Sequence, residues 1–245
     1  MKKVFFDSGQ FWKTEPQTVP LSKAWNDVSA NLFGMPGARI FNPSTLPTNY
    51  GTAFNAPGIL FNLQKNDKEI SLSKRSEIFT PRDWNAGELF NTIEFTTIFP
   101  GTFANDTLPE LFFQLAGNDY NRFNPNLALW IRNGQFSVNQ KYTRANGTNF
   151  ERNHSISLPF MRKTPIRWMI TFKKGIDGSG LVTVSANGVQ RLRISGQNCN
   201  IIDGKPEASH FIKFGIYKWP WMKTFTPGIE QRQLFISDII ISNIS

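Results

Sequence analysis

Along most of this chain apolar and polar residues alternate singly, in short runs broken by Gly, Asn, Pro and Asp. Residues 90–99 set Ile93, Phe95 and Phe99 against Thr92, Glu94 and Thr96. Residues 127–132 set Leu127, Leu129 and Ile131 against Ala128, Trp130 and Arg132, and residues 166–173 set Ile166, Trp168, Ile170 and Phe172 against Arg167, Met169, Thr171 and Lys173. Successive side chains of an extended backbone leave on opposite sides, so a period of two marks a strand with one buried face. Asn133-Gly134 and Asn187-Gly188 sit between such runs. Both central positions of a tight type I′ turn need positive φ, so these pairs predict hairpins leading into Phe136 and Val138 and into Val189–Ile194. A Gly-rich loop, Gly175–Gly180, leads to Leu181–Val184, and an apolar run from Leu234 to Ile244 closes the sequence. Helical periodicity is nearly absent. The pattern predicts an all-β chain, an antiparallel β-sandwich or barrel. Residues 1–65 are less regular and rich in Pro, Asn and Phe; they are expected to wrap the sandwich or add edge strands. No repeat, low-complexity tract or linker divides the chain, which predicts one domain over residues 1–245.

The stretch Phe211-Ile212-Lys213-Phe214-Gly215-Ile216-Tyr217 sorts by the same rule. Ile212, Phe214 and Ile216 face a core, while Lys213, Gly215 and Tyr217 face the other way. An ammonium and a phenol then share one surface, with a side-chain-free position between them. A surface on which an anionic sugar lies would use all three. A plain solvent face can also carry them.

Composition narrows the partners. Phe 23 and Trp 7 supply bulky core material in 245 residues, so a core can form without disulfides. Cys199 is the single cysteine, which forbids an internal disulfide and disfavours a Cys-based metal site. Net charge is +9, and residues 151–245 carry 13 of the 27 basic residues but only 6 of the 18 acidic ones. A concentrated basic surface fits an anionic partner. No nucleic-acid-binding module is recognisable, and no apolar run approaches the ~20 residues of a membrane-spanning helix. Acidic polysaccharide is the expected partner, with neither nucleic acid nor membrane. The opening Met1–Asp7 has the basic start of a secretion signal, but its apolar run stops too soon. The chain therefore reads as soluble: cytoplasmic, trimmed to a mature form, or carried on a virus particle.

Several kinds of chemistry lack support. There is no phosphate-binding Gly loop, no Cys or His pair spaced for a metal, and no nucleophile elbow to serve His154 or His210. No cofactor is expected. Carboxylates such as Glu77 and Glu94 exist, but no spacing singles out a hydrolytic pair. Three strand-borne clusters carry more. In Lys74-Arg75-Ser76-Glu77-Ile78, Arg75 and Glu77 share a face. In Leu111-Phe112-Phe113-Gln114-Leu115-Ala116-Gly117, Gln114 alone interrupts an apolar strand, either bonded inside or turned into a cleft. Phe211–Tyr217 is the third. Trp130, Trp219 and Trp221 are candidates for stacking on sugar rings, and Tyr120 and Tyr142 for lining a groove.

Taken in order, Arg75-Ser76-Glu77, Gln114-Leu115-Ala116 and Phe211–Tyr217 resemble the signature strands of jelly-roll polysaccharide lyases, the alginate, heparin I and glucuronan lyase group. Those families carry an Arg-x-Glu strand, a Gln-x-His strand and a Phe-Lys-x-Gly-x-Tyr-like strand. Trp168, the Lys174–Gly180 loop, Ala186-Asn187-Gly188 and the closing Phe235–Ile239 resemble further stretches of the same group, over roughly residues 70–245. The resemblance implies a concanavalin-like jelly roll with a groove on its concave face. It implies β-elimination at a uronic acid, without a metal in the chemistry. Gln114 and Arg75 would neutralise the sugar carboxylate, so that the C5 proton becomes acidic. Tyr217 would act as base, acid or both, with Lys213 and Arg75 as the cations that favour its phenolate. Glu77 would orient Arg75; Trp219, Trp130, Tyr142 and His154 would bind substrate. One departure stands out: Ala116 occupies the family's histidine position. Tyr217 then acts alone in a syn elimination, or His154 or His210 supplies an imidazole, or the scaffold binds glycan without cutting it. A non-catalytic carbohydrate-binding or virion-associated module is the alternative function. A hydrolase or lectin of the same architecture is weaker.

Overall fold

The computed structural model describes residues 58–67, 74–79, 90–117, 124–207 and 210–244, together with four strands before residue 42. Two antiparallel sheets face one another. Ten strands form the first: β1 (Val4–Asp7), β2 (Gln10–Lys13), β3 (Gln17–Pro20), β4 (Arg39–Phe41), β5 (Gly58–Gln64), β7 (Phe90–Ile98), β12 (Ile166–Lys173), β13 (Leu181–Ala186), β14 (Val189–Ser195) and β18 (Gln231–Ile244). Six form the second, in the order β11 (Asn149–Ile156), β10 (Gln135–Thr143), β9 (Leu127–Arg132), β8 (Glu110–Gly117), β17 (His210–Tyr217) and β6 (Arg75–Phe79). A small ribbon pairs β15 (Ile201–Ile202) with β16 (Lys205–Pro206). Among the described residues the single helical element is a 3-10 turn, Trp219–Met222, directly after β17.

The predicted alternation holds strand by strand. Ile93, Phe95, Leu127, Leu129, Ile131, Ile166, Trp168, Ile170, Phe172, Ile212, Phe214 and Ile216 all lie in the core between the sheets. Rings from opposite sheets interlock there: Phe95 stacks on Phe113 at 5.4 Å and meets Phe214 edge-on at 5.1 Å, while Trp168 packs against Phe112 and Phe136. Offset and edge-to-face contacts of this kind add about 0.5–1.5 kcal/mol each beyond the area they bury. Both hairpins form where Asn-Gly pairs sit, with φ of 50° and 71° at Asn133 and Gly134 and of 52° and 76° at Asn187 and Gly188. In the irregular amino-terminal part, β1, β2 and β3 add strands beside β18, and β4 pairs with β5.

Two irregularities shape the strand that matters for function. The pairing of β17 with β8 shifts register between Phe214 and Tyr217. Gly215 lies inside that shift at φ +133°, and a Cβ there would stand 2.2 Å from the Ser76 carbonyl oxygen and 2.7 Å from Glu77 Cα. The glycine is required by the close approach of β6, which corrects the expectation of an open gap beneath a sugar.

Candidate functional site

The outer face of the six-stranded sheet gathers the residues that alternation turns away from the core. On β17 these are Phe211, Lys213 and Tyr217. Lys213 pairs with Gln114 of β8, and Tyr217 pairs with Arg75 of β6, while Glu77 sits opposite Gly215. The three sequence clusters therefore meet on three adjacent strands.

Glu77 binds the cluster together. Gln114 Nε2 donates a hydrogen bond to Glu77 Oε1, and Arg75 Nη1 lies 3.5 Å from Glu77 Oε2. Burial pushes the Glu77 carboxyl above the usual carboxylate range, against the opposing pull of Lys213, Arg75 and the Gln114 hydrogen bond. The lone amide of β8 is thus both in the cleft and hydrogen-bonded, so the two readings of Gln114 merge. One of its N–H groups is committed to Glu77. Arg75 Nε is buried without a hydrogen-bond partner among the described residues.

Aromatic rings extend the face. The Arg75 guanidinium lies over the Tyr217 ring at 4.5 Å, Tyr217 contacts Trp219 at 5.7 Å, and Trp219 stacks on Trp130 at 6.1 Å with planes 13° apart. Lys213 lies 5.3 Å from the Phe211 ring centroid. Cations beside half-buried rings suit a ligand that offers carboxylates and flat sugar faces.

Other expected residues fall elsewhere. Tyr142 and His154 occupy inward-facing positions of β10 and β11, in step with Val138 and Ile156 of the core. Tyr142 stacks on Phe150 at 4.6 Å, and His154 Nε2 lies 3.2 Å from Gln140 Oε1. Burial and then Arg152 hold the His154 imidazole below its ordinary range. The strand period excludes both from the Tyr217 face, which corrects their assignment as groove residues. His210 is also inward, 5.6 Å from the Phe172 ring, and among the described residues neither ring nitrogen has a hydrogen-bond partner. Neither histidine lies on the face that carries Ala116. Trp221 belongs to the core. Tyr120 lies outside the described residues.

Sequence reasoning passed over Asn139. It stands on the outer face of β10, level with Ala128 and thus with Gln114, and its Nδ2 donates to Glu151 Oε1 at 2.9 Å and Asn153 Oδ1 at 2.6 Å. The alternation within Phe136–Thr143 was the available signal. Ala116 faces Phe211 across the strands, and the register that sets Gln114 opposite Ala128 brings Asn126 beside it. Asn126 Oδ1 is buried without a hydrogen-bond partner among the described residues. Among the described residues no group of three or more His, Cys, Asp or Glu side chains is placed to hold a metal ion.

Solved structures share this architecture. The endo-β-1,4-glucuronan lyase of the fungus Trichoderma reesei superposes with a TM-score of 0.70 at 12% identity, over 84% of this chain and 87% of its own. An alginate lyase of Pseudomonas aeruginosa gives 0.59 at 16% identity, over 99% of this chain and 97% of its own. An alginate lyase of Corynebacterium sp. gives 0.58 at 14% identity, over 99% and 94%. At such identities the likeness establishes the fold, an antiparallel jelly-roll β-sandwich. No curated protein matches the sequence. The profile of the polysaccharide lyases matches residues 41–240, most of the chain. On that match, the chain belongs to the polysaccharide lyase family.

Proposed function

We propose that this protein binds an anionic, uronate-containing polysaccharide across the outer face of the six-stranded sheet and cleaves it by β-elimination, with Tyr217 as both base and acid. What carries the reading is the convergence of Arg75, Glu77, Gln114, Lys213 and Tyr217 on adjacent strands.

Each step has a residue suited to it. Arg75 and Lys213 offset the negative charge of the sugar carboxylate, and the remaining N–H of Gln114 donates to it, so the carbanion formed at C5 is stabilised as an enolate. Glu77 holds Arg75 and Gln114 in place. The Tyr217 phenolate takes the C5 proton, and the C5 electron pair forms the C4–C5 double bond as the C4–O bond breaks. The departing glycosidic oxygen then takes the proton back from the Tyr217 hydroxyl. Charge and protons balance, and one group on one face serves both transfers, which is a syn elimination. Trp219 and Trp130 offer stacking surfaces for neighbouring rings. Its structural neighbours include a glucuronan lyase and an alginate lyase, so polyglucuronate and alginate are the first substrates to try.

One observation favours a second reading, glycan binding without cleavage: Ala116 supplies no proton acceptor where the family pattern has histidine. An absorbance screen over acidic polysaccharides separates the two. Elimination makes an unsaturated uronide that absorbs in the ultraviolet, and growth of that band establishes the first reading. Retained binding with no growth on any polymer leaves only the second.

A further inference from the structure

Immediately after Tyr217 the chain buries four charges. Lys218 has no exposed side-chain surface; its Nζ lies 2.8 Å from Asp106 Oδ2 and 3.5 Å from Glu110 Oε2, and it donates to the Leu108 carbonyl at 2.7 Å. Arg232 grips both oxygens of Glu110 at 2.6 and 2.8 Å and donates to the Ala104 carbonyl at 2.7 Å. Asp106 Oδ1 accepts from the Leu108 N–H at 2.8 Å and the Thr226 hydroxyl at 2.5 Å. Two acids and two bases cancel, and the Phe103 ring lies 3.7 Å from the Arg232 guanidinium carbon. The quartet ties the start of β8 and the start of β18 to the end of β17.

Lys218 also has backbone ties to the site. Its N–H donates to the carbonyl of Lys74, the neighbour of Arg75, at 2.9 Å, and its carbonyl accepts from the Trp221 N–H at 3.2 Å, opening the turn that bears Trp219. Tyr217 and Trp219 flank Lys218 on the outer side while the lysine side chain runs inward.

We propose that Lys218, held by the Asp106–Glu110–Arg232 cluster, is a positioning residue that sets Tyr217 against Arg75 and Trp219 against Trp130. The proposal rests on reading Tyr217 and Trp219 as glycan-facing. A solvated lysine at this point would let the turn rotate at little cost. A buried ammonium cannot leave its partners without depriving Asp106 of its cation, so it restricts the turn to one arrangement. Displacing a catalytic group by about 1 Å can cost about 10²-fold in rate.

The test compares wild type with a Lys218→Met/Asp106→Leu double variant. This pair removes one charge of each sign and leaves the Glu110–Arg232 pair intact. The expected result is a folded protein in which kcat on a polyuronate falls about 10²-fold and the exciton couplet of the stacked Trp130 and Trp219 weakens in circular dichroism. A Trp219→Phe protein identifies that couplet. If the double variant does not fold, Asp106→Asn, which removes only the nearest negative charge from Lys218, is held to the same two readouts. An unchanged couplet with unchanged kcat overturns the proposal. Wild type that binds polyuronate but never cleaves it sinks the catalytic reading of Tyr217 alone; the couplet and the glycan affinity then decide the role of Lys218.

Discussion

The guanidinium carbon of Arg75 lies 4.5 Å from the centroid of the Tyr217 ring, its cross-strand partner on β17. The contact needs the ring and not the hydroxyl, which allows packing and chemistry to be separated. Tyr217→Phe keeps the face that the cation covers and removes the only group assigned to proton transfer. Glycan affinity should hold within a few-fold while kcat falls by at least about 10²-fold, the lower end of what general acid–base catalysis contributes. His154→Ala, on the other side of the sheet, should leave kcat unchanged. Steady-state elimination rates on polyuronate check both, and the opposite pattern would move the base to His154.

Ala116 invites the reverse experiment. In Ala116→His, the new imidazole would extend from the outer face beside Asn126, whose Oδ1, without a partner among the described residues, can accept a ring N–H and fix the tautomer. The other nitrogen would then be a free acceptor. A rise in kcat of about 10²-fold or more is expected, within the range a positioned base supplies. No rise in a folded variant would mean that an imidazole at this position adds nothing to the transfers assigned to Tyr217.

Gly215→Ala should be costly despite its size. Its φ of +133° disfavours any side chain, and the added methyl would collide with the Ser76 carbonyl oxygen 2.2 Å away. A loss of more than about 1 kcal/mol is expected by urea unfolding. Activity should fall further than stability, because β6 and β17 carry Arg75 and Tyr217.

Arg232→Met tests the buried quartet as a source of stability. It leaves Glu110 with only the more distant Lys218, 3.5 Å away, as a charged partner. Removing one member of a buried pair strands the other, so a loss of about 3–5 kcal/mol is expected. Urea midpoints at constant m-value measure it.

His210 makes the fold acid-sensitive. Burial, and secondarily Lys174, lowers its pKa from 6.5 to about 3, so the folded protein refuses a proton that the unfolded chain accepts. Stability contributed by the neutral ring is full above pH 6.5 and drains away as pH falls towards 3. Glu77 works the other way: its raised pKa lets the folded state hold a proton longer, so its contribution improves as pH falls towards the ordinary carboxylate range. His210→Leu should remove the imidazole's acid loss and match or exceed wild-type stability at neutral pH. Denaturation midpoints across pH would overturn this if the acid slope persisted in the variant.

Sequence alone determined what depends on neighbours along the chain. Single alternation named the inward residues of β7, β9, β12 and β17, and Asn-Gly pairs located two hairpins, because both rules act within a few residues. It also grouped Arg75 with Glu77 and Lys213 with Tyr217, since residues two apart share a face. What it could not supply was register between strands distant in sequence. Only the tertiary structure brought β6, β8 and β17 side by side, gave Gln114 to Glu77, and stacked Trp219 on Trp130. It also turned Tyr142 and His154 away: their residue types suited a sugar site, but which face each strand presents is decided by the core it packs against. Gly215 and Lys218 mark the limit most clearly. Gly215 reads as a gap until β6 packs so close that a Cβ there would stand 2.2 Å from the Ser76 carbonyl oxygen, and nothing local marks Lys218 until Asp106 and Glu110 close around its ammonium. Close backbone approach and burial of charge arise from packing between segments far apart in the chain, and no local pattern encodes them.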